Sequence, residues 1–305
     1  MHPRLAEREC QRGLPSRVLI INADDAGYSR GINHAIAQCA DRGVVRSTTL
    51  MANGGAFEHA VKVLGGVRDL GIGVHLVLTD LAPVDPTGRM QELLDEGGRL
   101  PRGPLALFSA LAAGRGGMET LRRELILQVE KVLDHGILPT HLDSHKHVHA
   151  APPILEMVLK VAARYGIRWV RNPFDETGRA PDILRSLDGP WRSRFLLQWF
   201  QSRETRLLRP YFRRAVRRAG LLTPDGFFGT ALTGLWNMQL VQMVLGRLPP
   251  GRYEWMAHPG RDEAELRRMG TRLVEERFRE MELMLSPELE RFLTAHAIEL
   301  RSYTG

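Results

Sequence analysis

The sequence predicts an α/β fold built on a parallel sheet. Short apolar runs alternate with segments of helical spacing along most of the chain, which is the rhythm of repeated strand–helix units. Most clusters of histidine and aspartate fall at or just beyond the ends of those apolar runs, where such sheets place their chemistry. Periodicity does not decide whether the sheet opens flat or closes into a barrel.

Residues 18–21 (VLII) read as a short buried strand left through Asn22, Asp24 and Asp25. Residues 31–41 then carry Ile32, Ala35, Ile36 and Cys39 at helical spacing, completing a first strand–turn–helix unit. Residues 43–51 supply β-branched side chains for a second strand, and 57–64 a short helix. Residues 70–78 form a third strand carrying His75. From 79 to 117 periodicity is lost among Pro83, Pro86, Pro101 and Pro104, as suits a lid or rim loop.

Residues 118–135 are helical, with Leu121, Leu125, Val129, Val132 and Leu133 as the stripe. Residues 136–142 are the next strand, Pro152 and Pro153 start a helix, and 167–171 form another strand. A helix over 233–248, a strand over 253–257 ending at His258, and charged helical segments over 262–285 and 287–300 complete the pattern.

The stretch 140–149, THLDSHKHVH, holds four histidines and an aspartate in ten residues, more imidazole than a packed core accepts. If extended, His141, Asp143, His145, His147 and His149 share one face while Lys146 and Val148 point away. They cannot all ligate one ion, so some must orient others or touch substrate. Asp24 and Asp25 taken alone are common turn residues, and His75 taken alone is a common hydrogen-bonded core residue. Together with the histidine stretch they suit a divalent ion held by nitrogen and carboxylate oxygen.

Composition narrows the class. The chain of 305 residues is long enough for one large α/β core or two smaller ones. Cys10 and Cys39 make neither a C-x-x-C motif nor a case for a disulfide-built fold, so a reducing, cytoplasmic setting is expected. Residues 1–16 are a polar tail without a signal-peptide core, and no run of eighteen apolar residues occurs. The formal charge is +7, yet residues 191–218 hold nine arginines and one acidic residue, leaving the rest of the chain near −1. That basic segment is either a solvated helical hairpin or a surface for an anionic partner.

The blocks LIINADDAGYSRGINHAI, GVVRSTTLMANG, GIGVHLVLT, PTHLDSHKHVHAAPPI and EWMAHPG, spread from Val18 to Gly260, resemble the YdjC-type carbohydrate deacetylases. The resemblance implies a modified β/α barrel related to the NodB-like polysaccharide deacetylases, with residues 17–305 as one domain and a mainly helical insert at about 175–232. It implies hydrolysis of an N-acetyl group on a sugar with one divalent ion, Mg2+ or Zn2+. Carried onto this chain, Asp25, His75 and His145 are the expected metal ligands, Asp24 the base and His258 the candidate acid. His141 and Asp143 are supporting residues.

Ala26 stands where the family usually has Phe, a change in packing that removes no reacting group. Residues 211–229 and 248–258 look more like the hopanoid-associated branch than the chitooligosaccharide branch. That implies an N-acetylglucosaminyl hopanoid or another glycolipid as substrate; the arginines and apolar side chains of residues 191–218 suit a cap that rests on an anionic membrane, and no nucleic acid partner is expected. The same ligands would also serve another metallohydrolase such as a phosphoesterase, and a homo-oligomer is left open.

Overall fold

The computed structural model describes residues 17–261 and 263–304. The expected polar tail, Cys10 within it, and the first residue of the expected helix at 262 lie outside the described residues. Among the described residues there are eight strands: β1 (Arg17–Ala26), β2 (Ser47–Leu50), β3 (Gly71–Leu76), β4 (His141–Ser144), β5 (Trp169–Val170), β6 (Gly226–Phe228), β7 (Gly251–Ala257) and β8 (Glu299–Leu300). They pair in parallel in the order β5-β4-β3-β2-β1-β7-β6.

The sheet curls until its edges meet. Isolated parallel bridges Trp169↔Leu222 and Asp175↔Phe227 join the β5 side to the β6 side. β8 pairs only the start of β1, Val18↔Glu299 and Leu19↔Leu300, because β2 takes that edge from Asn22 onward and β7 takes the other. Leu19, Ile21, Val74, Leu142 and Trp255 are fully buried in the core against the helices. The opposite face, turned inward, is polar. Asp24, Thr49, His75, Asp143 and Glu254 meet there, one each from β1, β2, β3, β4 and β7, with Arg171 from just beyond β5.

Several elements differ from the sequence pattern. Residues 136–142 are not a strand: Gly136 turns at φ 76° and pairing starts at His141. The helix expected over 233–248 is Met238–Leu245, because Gly234 turns at φ 72° and the Asn237 side chain caps the start by accepting from the Leu240 amide. Residues 262–285 divide at Gly270 into Glu263–Met269 and Glu275–Met284. The last helix stops at Ala295, and Glu299–Leu300 becomes β8 by pairing with β1.

Residues 79–117 contain a 3-10 segment, Gly88–Leu93, and a helix, Gly103–Ala112. The loop's beginning is pinned to the helix Met118–Asp134. Gln128 both donates to and accepts from the Val77 backbone, and Glu124 accepts the Val84 amide at 2.8 Å. The basic segment is helical over Pro190–Glu204 and Arg209–Arg218. No helix among the described residues is long and apolar enough to cross a membrane.

Candidate active site

Asp24 and Asp25 reach one cleft because β1 bulges there. Ala23 pairs with Thr48 and Ala26 with Leu50, so β1 carries one extra residue, and Asp25 takes φ 69°. A bulge re-aims a side chain that would otherwise face the helices. Two residues on from Asp25 the chain must carry glycine. Gly27 has φ 87°, and a Cβ there would lie 2.9 Å from the Met51 carbonyl oxygen.

Asp25 Oδ1 stands 3.5 Å from His75 Nε2 and 3.6 Å from His145 Nδ1. One ligand atom from each of the three lies within 4.8 Å of the others. The expected metal ligands are therefore brought together from the ends of β1, β3 and β4. His75 donates Nδ1–H to Asp143 Oδ1 at 2.8 Å, which turns Nε2 toward Asp25. Asp24, His75 and Asp143 also converge, but Arg171 already neutralises both of those aspartates.

The extended reading of residues 140–149 is corrected. Only His141–Ser144 is strand; His145–Ala150 is a turn of 3-10 type in which Lys146 and His147 adopt φ 54° and 53°. Left-handed backbone costs a non-glycine residue about 1–3 kcal/mol, and it sends successive side chains to different walls. His145 enters the cleft, and Lys146, expected to point away, reaches Asp80 Oδ1 at 2.7 Å. His147 meets Thr230 Oγ1 at 3.2 Å. His149 is structural, held between Ser144 Oγ and the Arg171 carbonyl. His141 lies deep in the barrel, stacked on Tyr303 with centroids 3.7 Å apart. It fits only because Gly73 has no side chain: a Cβ there would sit 2.5 Å from the imidazole.

Four groups that sequence reading passed over hold this arrangement. Fully buried Arg171 grips Asp24 with Nη1 at 2.7 Å and Nη2 at 2.6 Å, and also bonds Asp143 and Glu254. Arg277 holds Asp25 Oδ2 at 2.5 Å, leaving Oδ1 toward the imidazoles. Glu280, one turn along the same helix, accepts the backbone amides of His258 at 2.6 Å and Gly234 at 2.7 Å. Asp80 faces the outer side of His145 at 3.8 Å.

Electrostatics follow from these partners. Burial works to raise Asp24, but the charge and hydrogen bonds of Arg171 overcome it and hold the carboxyl well below its usual range. Asp25 is likewise held down against burial, by Arg277 and His145. Burial opposes a charge on His75, yet Asp143, Asp24 and Asp25 raise it to about 9. His258 is lowered to about 4, by burial first, with Asp25 raising it and Arg277 opposing. It is neutral at pH 7, and its Nδ1 is buried without a hydrogen-bond partner among the described residues.

The basic segment is less free than its charge suggests. Arg192, Arg203, Arg206 and Arg213 donate to backbone carbonyls of Leu187, Thr177, Asp175 and Asp225. Arg194, Arg209 and Arg218 pair with Glu276, Glu176 and Glu156. Arg214 and Arg217 are exposed without such partners among the described residues, as are the apolar side chains of Leu197, Phe200 and Leu207.

The sequence and fold are shared with known proteins. The carbohydrate deacetylase of Brevibacillus brevis is 34% identical over 291 residues, covering 94% of this chain and 98% of its own. The chitooligosaccharide deacetylase of Enterobacter sp. strain 638 is 39% identical over 172 residues, 54% of this chain and 66% of its own. A crystal structure from Enterococcus faecalis V583, described for cellobiose-phosphate cleavage, superposes with a TM-score of 0.70 at 24% identity. It covers 95% of this chain and 98% of its own, and at that identity it supports the fold alone. The pattern defining the family described as YdjC-like protein matches residues 18–295, so the chain belongs to the YdjC-like protein family.

Proposed function

We propose that the protein is a metal-dependent carbohydrate N-deacetylase, hydrolysing the acetamide of an N-acetylated sugar. The observation that carries the reading is the convergence of Asp25, His75 and His145 beside an Asp24 clamped by Arg171, in a chain related along its length to a carbohydrate deacetylase.

Two imidazole nitrogens and one carboxylate oxygen, from His75, His145 and Asp25, would hold a borderline or hard divalent ion, Mg2+ or Zn2+. When bound, the ion supplies Lewis acidity to the acetyl carbonyl and the attacking water. Asp24 accepts the proton of that water, and Arg171 fixes its orientation and keeps it ionised. The amide nitrogen departs only as a protonated amine, and His258 is the group assigned to deliver that proton. His258 must first become charged, which Asp25 favours and burial opposes.

The finer reading takes an N-acetylglucosaminyl hopanoid or another glycolipid as substrate, approached from the cytoplasmic face of a membrane. Exposed Leu197, Phe200 and Leu207 together with Arg214 and Arg217 support contact with an anionic bilayer. Residues 17–305 then act as one NodB-related barrel domain with its insert at about 175–232. A soluble chitooligosaccharide is the second reading, favoured by the name of the Enterobacter relative.

The test is acetate release from N-acetylglucosamine compounds with soluble and hopanoid aglycones, using metal-stripped enzyme repleted one ion at a time. Release only after repletion, and faster from the hopanoid, is expected. Phosphate release from phosphorylated sugars without acetate release would replace the reading with a phosphoesterase.

A further inference from the structure

The ring of His145 lies between two carboxylates. Nδ1 is 3.6 Å from Asp25 Oδ1 on the inner side, and Nε2 is 3.8 Å from Asp80 Oδ2 on the outer side. Asp80 Oδ2 is buried without a hydrogen-bond partner among the described residues, whereas Oδ1 accepts from Lys146 Nζ at 2.7 Å. A buried acceptor left unpaired costs about 1–3 kcal/mol, so its persistence needs a reason. Backbone strain is concentrated here too, with Asp80 at φ 71° and Lys146 at φ 54°. Asp80 is anchored by its own amide, which donates to the Pro101 carbonyl at 3.1 Å.

The two imidazoles of the cluster are arranged in opposite senses. His75 turns Nε2 toward Asp25 and gives Nδ1–H to Asp143. His145 turns Nδ1 toward Asp25, so a neutral ring ligating through that atom carries its hydrogen on Nε2 and needs an acceptor behind it. The orphaned oxygen of Asp80 is the group in place. A shift of under about 1 Å brings the 3.8 Å separation into hydrogen-bond range.

We propose that Asp80 is the positioning residue for His145, accepting its Nε2–H when Nδ1 takes up the divalent cation. Lys146 holds the other oxygen, so the carboxylate faces the ring in one orientation. Asp80 begins the long loop after β3, which Lys146 already ties to the histidine turn, and the bond to His145 adds a second tie. The inference rests on the metal reading above.

The experiment titrates zinc ion into metal-stripped protein by calorimetry and records the ring N–H signals of the 15N-labelled, zinc-loaded form. Asp80→Ala should bind zinc about 10–100-fold more weakly, the usual effect of removing a carboxylate behind a ligating histidine. Asp80→Asn is the second variant. Its single oxygen cannot serve both Lys146 and His145, so it should also weaken binding. Wild type should show a slowly exchanging His145 Nε2–H that both variants lose. Unchanged zinc affinity in both variants overturns this inference alone, as does an Nε2–H signal that is absent from wild type or survives in them. Failure of wild type to bind zinc or magnesium overturns the metal reading and this inference together.

Discussion

Arg171 donates two hydrogen bonds to the two oxygens of Asp24, at 2.7 and 2.6 Å, and surrounds itself with further carboxylates. Its nitrogens also reach Asp143 at 2.6 Å and Glu254 at 2.8 and 2.7 Å. One cation thus fixes three acids from β1, β4 and β7 inside the barrel. Lysine has a point charge and three donors, so it cannot reproduce the fork. Arg171→Lys should lose about 3–5 kcal/mol of stability, as expected for a broken buried ion network. Urea denaturation of metal-free protein measures this, and a loss below 1 kcal/mol would show that the network is not held by its geometry.

Asp24 has no hydrogen bond or ion pair to the imidazole of His145, whereas Asp25 faces the rings of both His75 and His145. Asp24→Asn should therefore keep zinc affinity within a few-fold while kcat falls about 10²–10⁴-fold. Turnover at the wild-type rate would mean that another group activates the water.

How far the site could be read from sequence depended on how odd each residue was in its setting. Asp24, Asp25 and His75 stood out in apolar runs, and the histidine stretch stood out anywhere. Arg171 was hidden in an arginine-rich chain, although an arginine ending the run from Ile167 carried a usable signal. Arg277 and Glu280 sit on a helix whose charged composition reads as solvated, and only the packing of that helix on the end of β7 turns them inward. The turn at Lys146 and His147 was unreadable because positive φ at such residues leaves no compositional mark. β8 escaped for another reason: pairing with an open edge of β1 overrode a helical pattern.

His149 supplies a pH test remote from the ligand atoms. Burial, then Arg171, lower it to about 3 from a usual 6.5. With a depressed folded value, its contribution to stability is present above pH 6.5 and is lost as pH falls toward 3. Between pH 6 and 4, wild type should lose about 1.4 kcal/mol more per pH unit than His149→Gln, one proton's worth of linkage. Parallel stability curves for the two proteins over that range would rule out a neutral buried imidazole.

The structure narrows which insert residues can touch a bilayer. Arg213 and Arg218 are bonded to Asp225 and Glu156, so among the described residues of the segment Arg214 and Arg217 are the exposed arginines without such partners. Replacing Arg214 and Arg217 by Gln should abolish salt-sensitive binding to anionic vesicles. It should also slow the lipid-linked substrate at least about tenfold while sparing soluble sugars, since adsorption is the only step removed. Equal losses on both substrates, or no vesicle binding by the intact protein, would return the segment to a structural role.

Tyr303 is linked to Asp24 through Glu254 and Arg171. Its hydroxyl donates to Glu254 Oε2 at 2.5 Å, and Glu254 in turn holds Arg171. Burial raises Glu254 to about 7, with Arg171 and then the Tyr303 hydrogen bond opposing that rise. Phenylalanine keeps the stack on His141 and deletes only the donor. A carboxyl that loses a donor to its ionised form titrates higher, so in Tyr303→Phe Glu254 is protonated at neutral pH and its pull on Arg171 weakens. The expected result is a kcat several-fold lower at pH 7, KM unchanged, and an acid limb of the kcat profile displaced to higher pH with recovery near pH 9. A profile superimposable on wild type, with only the melting temperature lowered, would leave Tyr303 as a packing residue at the floor of the barrel.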